Sequence, residues 1–328
     1  MIATTFLNQD EARLRAFARR SAVAGFVASL LLLFSRTADS QETELIHKIV
    51  FYAVLVIVPL GLSLITSGYN DASTTLYRLI VLVQPVAATL TVASFFFEKG
   101  LFSVALSSAW LILCSLVALL GLMRLVTRGS YPIEELSIDA GLLYLPVAGV
   151  WLVVYRFGVQ PFGYGETIIL LTAVHFHFAG FAAPLIAGLT GRKLARLSRF
   201  PTRFFALTVV AIVGAMPLVA AGITFSPFLG LLGALMLATG LVMLATLTIK
   251  NLLPAVTFLG TRVLLWIAAL SSCTAMVLAS LYAYSLVAHI VILRIPTMAM
   301  THGVLNAFGF ATCSLVAWST INANDERA

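Results

Sequence analysis

Apolar stretches of roughly 20 residues, the length an α-helix needs to cross about 30 Å of hydrocarbon, recur along the whole of this 328-residue chain. The stretches are continuous and show no period-2 alternation, so they predict helices rather than the strands of a barrel. Ten spans are expected, at 18–35, 47–66, 77–97, 101–123, 139–157, 165–189, 203–222, 226–248, 262–288 and 295–318. Composition agrees: 61% of residues are apolar and 10% charged, whereas a soluble domain is typically about a quarter charged. No connection is long enough for a separate soluble domain. The fold class expected is an all-α polytopic bundle, a single transmembrane domain over 1–328. A basic amphipathic arm at 1–17 and a tail at 319–328 flank it.

The net charge of +7 sits in short connections between apolar runs, the pattern of orienting residues rather than of a nucleic-acid surface. With the N-terminus inside, fifteen of the twenty basic residues fall on the inner side, leaving Arg36, Lys48, Lys99, Arg156 and Arg294 outside. Both termini are therefore expected in the cytoplasm of a cell whose plasma (inner) membrane holds the protein. The run GRKLARLSRF, 191–200, is the strongest anchor and suits anionic lipid headgroups. The opening segment MIATTFLNQDEARLRAFARR reads as a cytoplasmic anchor, not a cleaved signal. Cys114, Cys273 and Cys313 all fall in predicted spans without a CxxC pair, and read as packing residues.

Polar groups at membrane depth are functional candidates by default, because excluding them would have been cheaper. LLTAVHFHFAGFAAPLIAGL, 170–189, places His175 and His177 mid-span, about 200° apart on a regular helix, with a kink expected at Pro184. PTMAMTHGVLNAFGF, 296–310, puts His302 and Asn306 on one face, with Met298 near the same stripe; Gly303 and Gly309 permit close approach of a helix or ligand. His175, His177, His302 and Asn306 are the catalytic candidates. Tyr155, Arg156, Glu166, Tyr282 and Tyr284, with Met298, are substrate-binding candidates nearer the outer surface; His289 and Arg294 lie at the same height. Arg156 and Glu166 flank one short loop and are placed to pair across it. Asp139 reads as a carboxylate at a helix N-terminus.

The two segments HFHFAGF (175–181) and HGVLNAFGF (302–310) resemble those of the YndJ-like family of bacterial multi-pass membrane proteins. The resemblance implies that His175, His177, His302 and Asn306 belong together, and it supplies no reaction.

Three functions fit. The first is an enzyme performing isomerisation, cyclisation or epoxide opening on a lipophilic substrate by acid/base chemistry, without a cofactor. The second is a transporter using the same histidines, with kinks at Pro184 and Gln84-Pro85. The third is a haem or metal site. Neither GxGxxG nor a P-loop is present, so nucleotide use is not indicated. The expected partners are the bilayer and a lipophilic small molecule; oligomeric state is not encoded in any motif. A reporter that is active only in the cytoplasm, fused after Arg128 or the C-terminus, is expected to be active, and after Lys99 inactive. The reverse pattern would overturn the orientation.

Overall fold

The computed structural model describes residues 2–37, 40–65, 70–196 and 201–325, with side chains from Asp10 to Ala323. Arg199 of the basic run and Arg327 lie outside the described residues. Ten long helices and no strand occur among them: α1 (Ile2–Leu32), α2 (Gln41–Leu62), α3 (Asp71–Ser94), α4 (Leu101–Thr127), α5 (Ile133–Phe157), α6 (Glu166–Ala195), α7 (Thr202–Phe225), α8 (Pro227–Ala255), α9 (Leu259–Val287) and α10 (Ile295–Ala323). Nine of these described helices, α2 to α10, are long and apolar enough to cross a membrane. The chain is thus a polytopic helical membrane protein. α1 is different because Arg15, Arg19 and Arg20 interrupt its apolar character. The expected first span is its C-terminal half, where Val23, Val27 and Leu31 are exposed as a lipid-facing side chain would be. The apolar stretch expected to be a loop at 251–261 is mostly helical, with α8 running on to Ala255 and α9 starting at Leu259.

The helices pack as two compact units. One comprises residues 1–131 and 142–177, the other 132–141 and 178–328. In the first, α2 is the central helix, with 83% of its apolar window buried. α1 lies so close to it that a Cβ on Gly25 would stand 2.0 Å from the Leu55 carbonyl oxygen. A π segment, Ala53–Ile57, interrupts α2 just before Pro59. Its register sends the Val58 N–H to the Ala53 carbonyl, so the Val54 carbonyl would look one residue further on, to Pro59, which has no N–H. The buried Gln84 amide on α3 donates to that oxygen at 2.9 Å. An orphaned carbonyl in hydrocarbon is costly, and this bond removes it. Tyr77 donates likewise to the Leu62 carbonyl at 2.9 Å, near the end of α2.

In the second unit, Leu194, Phe205, Val209 and Leu247 form a core between the end of α6, α7 and α8. Arg192 of the basic run holds Glu135 through two bonds, 2.5 and 2.7 Å. Asp139 is the seventh residue of α5 and is buried, so it is not the helix-terminal carboxylate expected; Glu134 and Glu135 occupy the first turn. Ser137 donates to the Pro184 carbonyl, and a π segment, Phe176–Ala182, stands immediately before Pro184, where a kink was expected. α9 closes on His289, in the left-handed region at φ 53°, with the Ile290 N–H returning to the Ser285 carbonyl. His289 is thereby a turn residue.

Replacing Gln84 by Leu is expected to lower stability by about 1 kcal/mol, read as an earlier thermal transition in detergent. An unchanged transition would show that the Val54 carbonyl has another donor.

Candidate functional site

The three mid-span histidines share one feature. Each ring places Nδ1 against a backbone carbonyl: His175 on Leu171 at 2.7 Å, His177 on Ala173 at 2.8 Å, and His302 on Ala275 of α9 at 2.9 Å. A carbonyl can only accept, so Nδ1 carries the proton and Nε2 presents a lone pair. For His177 that lone pair is engaged: Trp110 Nε1 on α4 donates to it at 2.9 Å, and the rings stack at 5.8 Å. Both partners are fully enclosed. His177 is a neutral, doubly bonded fastener between α4 and α6. His175 turns to a different carbonyl of its own helix and is only half-buried.

In the second unit His302 and Asn306 do meet, as their spacing predicts. Asn306 Nδ2 lies 3.2 and 3.3 Å from the two ring nitrogens of His302 and donates to the His302 carbonyl at 3.0 Å. Gly309, three residues further, permits the contact of α9 and α10: a Cβ there would stand 2.2 Å from Ser271 Oγ. Two π segments, Ala299–Gly303 and Leu305–Thr312, cover this stretch, and a third, Phe176–Ala182, covers the other motif. π segments are rare and concentrate at functional sites. Met298 and Tyr282 are half-buried and Tyr284 is exposed, the last as an interface anchor would be.

A further polar cluster lies in the first unit, where Tyr155, Arg156 and Glu166 were expected. Its centre, His47, carried no expectation. Glu44 accepts the Thr37 N–H at 2.7 Å and the Thr37 hydroxyl at 3.2 Å. Thr37 Oγ1 meets His47 Nδ1 at 2.9 Å, and His47 Nε2 meets the Tyr155 hydroxyl at 2.8 Å. Lys48 pairs with Glu44 and holds it as an acceptor. Since the single proton of the Thr37 hydroxyl goes to that carboxylate, Thr37 accepts from His47 Nδ1–H, and Nε2 is left to accept from Tyr155 O–H. The result is a directed chain from a phenol through an imidazole to a carboxylate, with His47 and Tyr155 both buried. Phe51 and Phe95 wall it, the latter edge-on to His47 at 4.7 Å.

Arg156 does not pair with Glu166. Its Nη2 donates to the carbonyls of Ser94 (2.8 Å) and Phe97 (2.6 Å) and lies 3.2 Å from Ser103 Oγ, closing the end of α3. Glu166 pairs with Lys99 at 2.6 Å, and the Lys99 ammonium stands 4.5 Å above the Tyr155 ring. A sequence signal for His47 did exist. Glu44, His47 and Lys48 share one helix face directly after Ser40, whose side chain caps the Thr43 N–H. Thr37 could not be found that way, because it reaches the cluster from outside the helix.

The Trp110–His177 bond is expected to couple the two residues by about 0.6 to 1.7 kcal/mol in a double-mutant cycle of Trp110→Phe and His177→Phe. Additive effects would mean that the rings merely pack.

A family model described as YndJ-like protein matches residues 48–310. Lys99, Tyr155, Arg156, His175, His177 and His302 fall inside that range; Thr37, Glu44 and His47 just precede it. The chain is 27% identical over 299 residues to the protein named uncharacterized membrane protein YndJ of Bacillus subtilis (strain 168), a match that covers 90% of this chain and 52% of that protein. The chain therefore spans about half the length of the curated relative it matches. No solved structure matches it. With the family model covering most of the chain, and both motif segments inside it, the chain belongs to the YndJ-like family.

Proposed function

We propose that this chain is a membrane-embedded enzyme that moves a proton on a lipophilic substrate, in an isomerisation, cyclisation or epoxide opening. The observation that carries this reading is the hydrogen-bonded chain Tyr155–His47–Thr37–Glu44, buried at Tyr155 and His47 and half-buried at Thr37 and Glu44. Tyr155 is the group that exchanges a proton with substrate. His47 takes the phenolic proton on Nε2, and the imidazolium that forms is stabilised through Thr37 by the Glu44 carboxylate. The resulting phenolate has the Lys99 ammonium at 4.5 Å and the Arg156 guanidinium at 5.9 Å from its ring centre. Returning the proton along the same path makes Tyr155 the acid of the second half-reaction, so no soluble cofactor is needed.

The mid-span histidines take secondary roles. His175, whose Nδ1 bonds the Leu171 carbonyl, is proposed as a further acid/base group of the same unit. His177 positions α6 through Trp110 and is a positioning residue. His302 and Asn306 form a polar pair in the second unit, apart from this relay.

The test compares lipid extracts of membranes from cells with and without the protein, by untargeted mass spectrometry, for wild type, Tyr155→Phe and His47→Gln. A species converted by wild type is expected to be converted about 10²- to 10⁴-fold more slowly by both variants, with the purified proteins still monodisperse. Full conversion by either variant would sink the relay. Vesicle uptake of an unchanged compound, lost in His302→Ala, would favour a transporter instead.

A further inference from the structure

Among the described residues, Arg156 is a buried cation without a counter-ion. It is 3% exposed, and its hydrogen-bond partners are two carbonyls and a serine hydroxyl, all neutral. Among the described residues no carboxylate lies within ion-pair distance of it; Glu44 is taken by Lys48 and Glu166 by Lys99. The carbonyl end of α3 and the faces of Phe95 (4.9 Å) and Tyr155 (5.9 Å) offset part of the charge. They do not complete it, and the Nε–H of Arg156 is buried with no acceptor. A buried charge and a buried donor both left unmatched are expensive, and an anion placed beside them removes both costs.

We infer that the first unit binds an anionic headgroup, a phosphate or carboxylate, between Arg156 and Lys99 and beside the Tyr155 hydroxyl. Lys99 supplies the entrance. Its side chain is 29% exposed and its partner Glu166 is 51% exposed, so their ion pair is wet and exchangeable, unlike every other contact in the cluster. On binding, the Lys99 ammonium leaves Glu166 for the incoming anion, uncovers the Tyr155 ring and adds a second cation to the one Arg156 provides. The ligand class follows from the same geometry: an anionic oxygen for the two cations, and an apolar body for the surrounding bilayer. The inference rests on the proposed reaction only for calling this ligand the substrate, and binding is measured apart from turnover.

The experiment titrates the purified full chain in detergent with phosphatidylglycerol or phosphatidylcholine and counts bound lipid by native mass spectrometry. Wild type is expected to retain phosphatidylglycerol about tenfold or more tightly than phosphatidylcholine. Lys99→Gln, a change at a partly exposed side chain that leaves the fold intact, is expected to abolish the preference; Arg156→Lys, which keeps the charge but loses the Nε–H, is expected to weaken it. Tyr155→Phe is expected to keep binding while losing turnover, which separates failure of the site from failure of the reaction. Equal retention of the two lipids, or a preference that survives Lys99→Gln, would overturn the inference. Millimolar inorganic phosphate that displaces phosphatidylglycerol supports the site with a free anion as sufficient ligand. Resistance to phosphate supports it with the lipid as ligand.

Discussion

Hydrocarbon supplies no hydrogen bonds, so each polar atom brought to membrane depth needs a partner made of protein. Much of this structure follows from that requirement. The π segment of α2 and the Pro59 behind it would strand the Val54 carbonyl, and Gln84 reaches from α3 to meet it. Trp110 meets the lone pair of His177. Ser137 reaches the carbonyl of Pro184 within the second unit. These bonds tie specific helices at specific heights, which apolar packing against lipid-like neighbours does not do by itself.

The same requirement separates fastening from function. His177 has both ring nitrogens, and Gln84 its amide nitrogen, matched by protein groups, and they read as structural. Arg156 retains an unmatched donor and charge. Tyr155 and His47 are matched, but by a chain of groups that all carry exchangeable protons and end on a carboxylate. A static fastener has no need of such a direction. Under the proposed function, that direction serves proton transfer as well as stability.

The helical layout was legible because its signal, apolar length, is local. Most of the expected spans coincide with helices, and the differences arise at α1 and 251–261, where apolar character and helix do not share boundaries. The meeting of His302 and Asn306, and the close approach at Gly309, were legible for the same reason: both depend on helical spacing and a missing side chain. The cluster around His47 was not. Tyr155 and Arg156 were visible as residues, but their partners come from Thr37, Glu44, His47, Ser94 and Phe97, and pairing across such separations has no local periodicity. Arg156 looked suited to Glu166 because both flank one loop; two nearby carbonyls captured it instead, and Lys99 took the carboxylate.

The cap that Arg156 places on α3 has a bearing on how the protein is made. The Phe97 carbonyl waits for a guanidinium that lies 59 residues further along the chain. During synthesis, α3 and α4 enter the membrane before α5 exists, and the turn between them remains open at that carbonyl until α5 arrives. Completion of the first unit is therefore tied to arrival of its fifth helix, and a ribosome-stalled fragment ending before Arg156 holds a hairpin whose connecting turn is still unfinished.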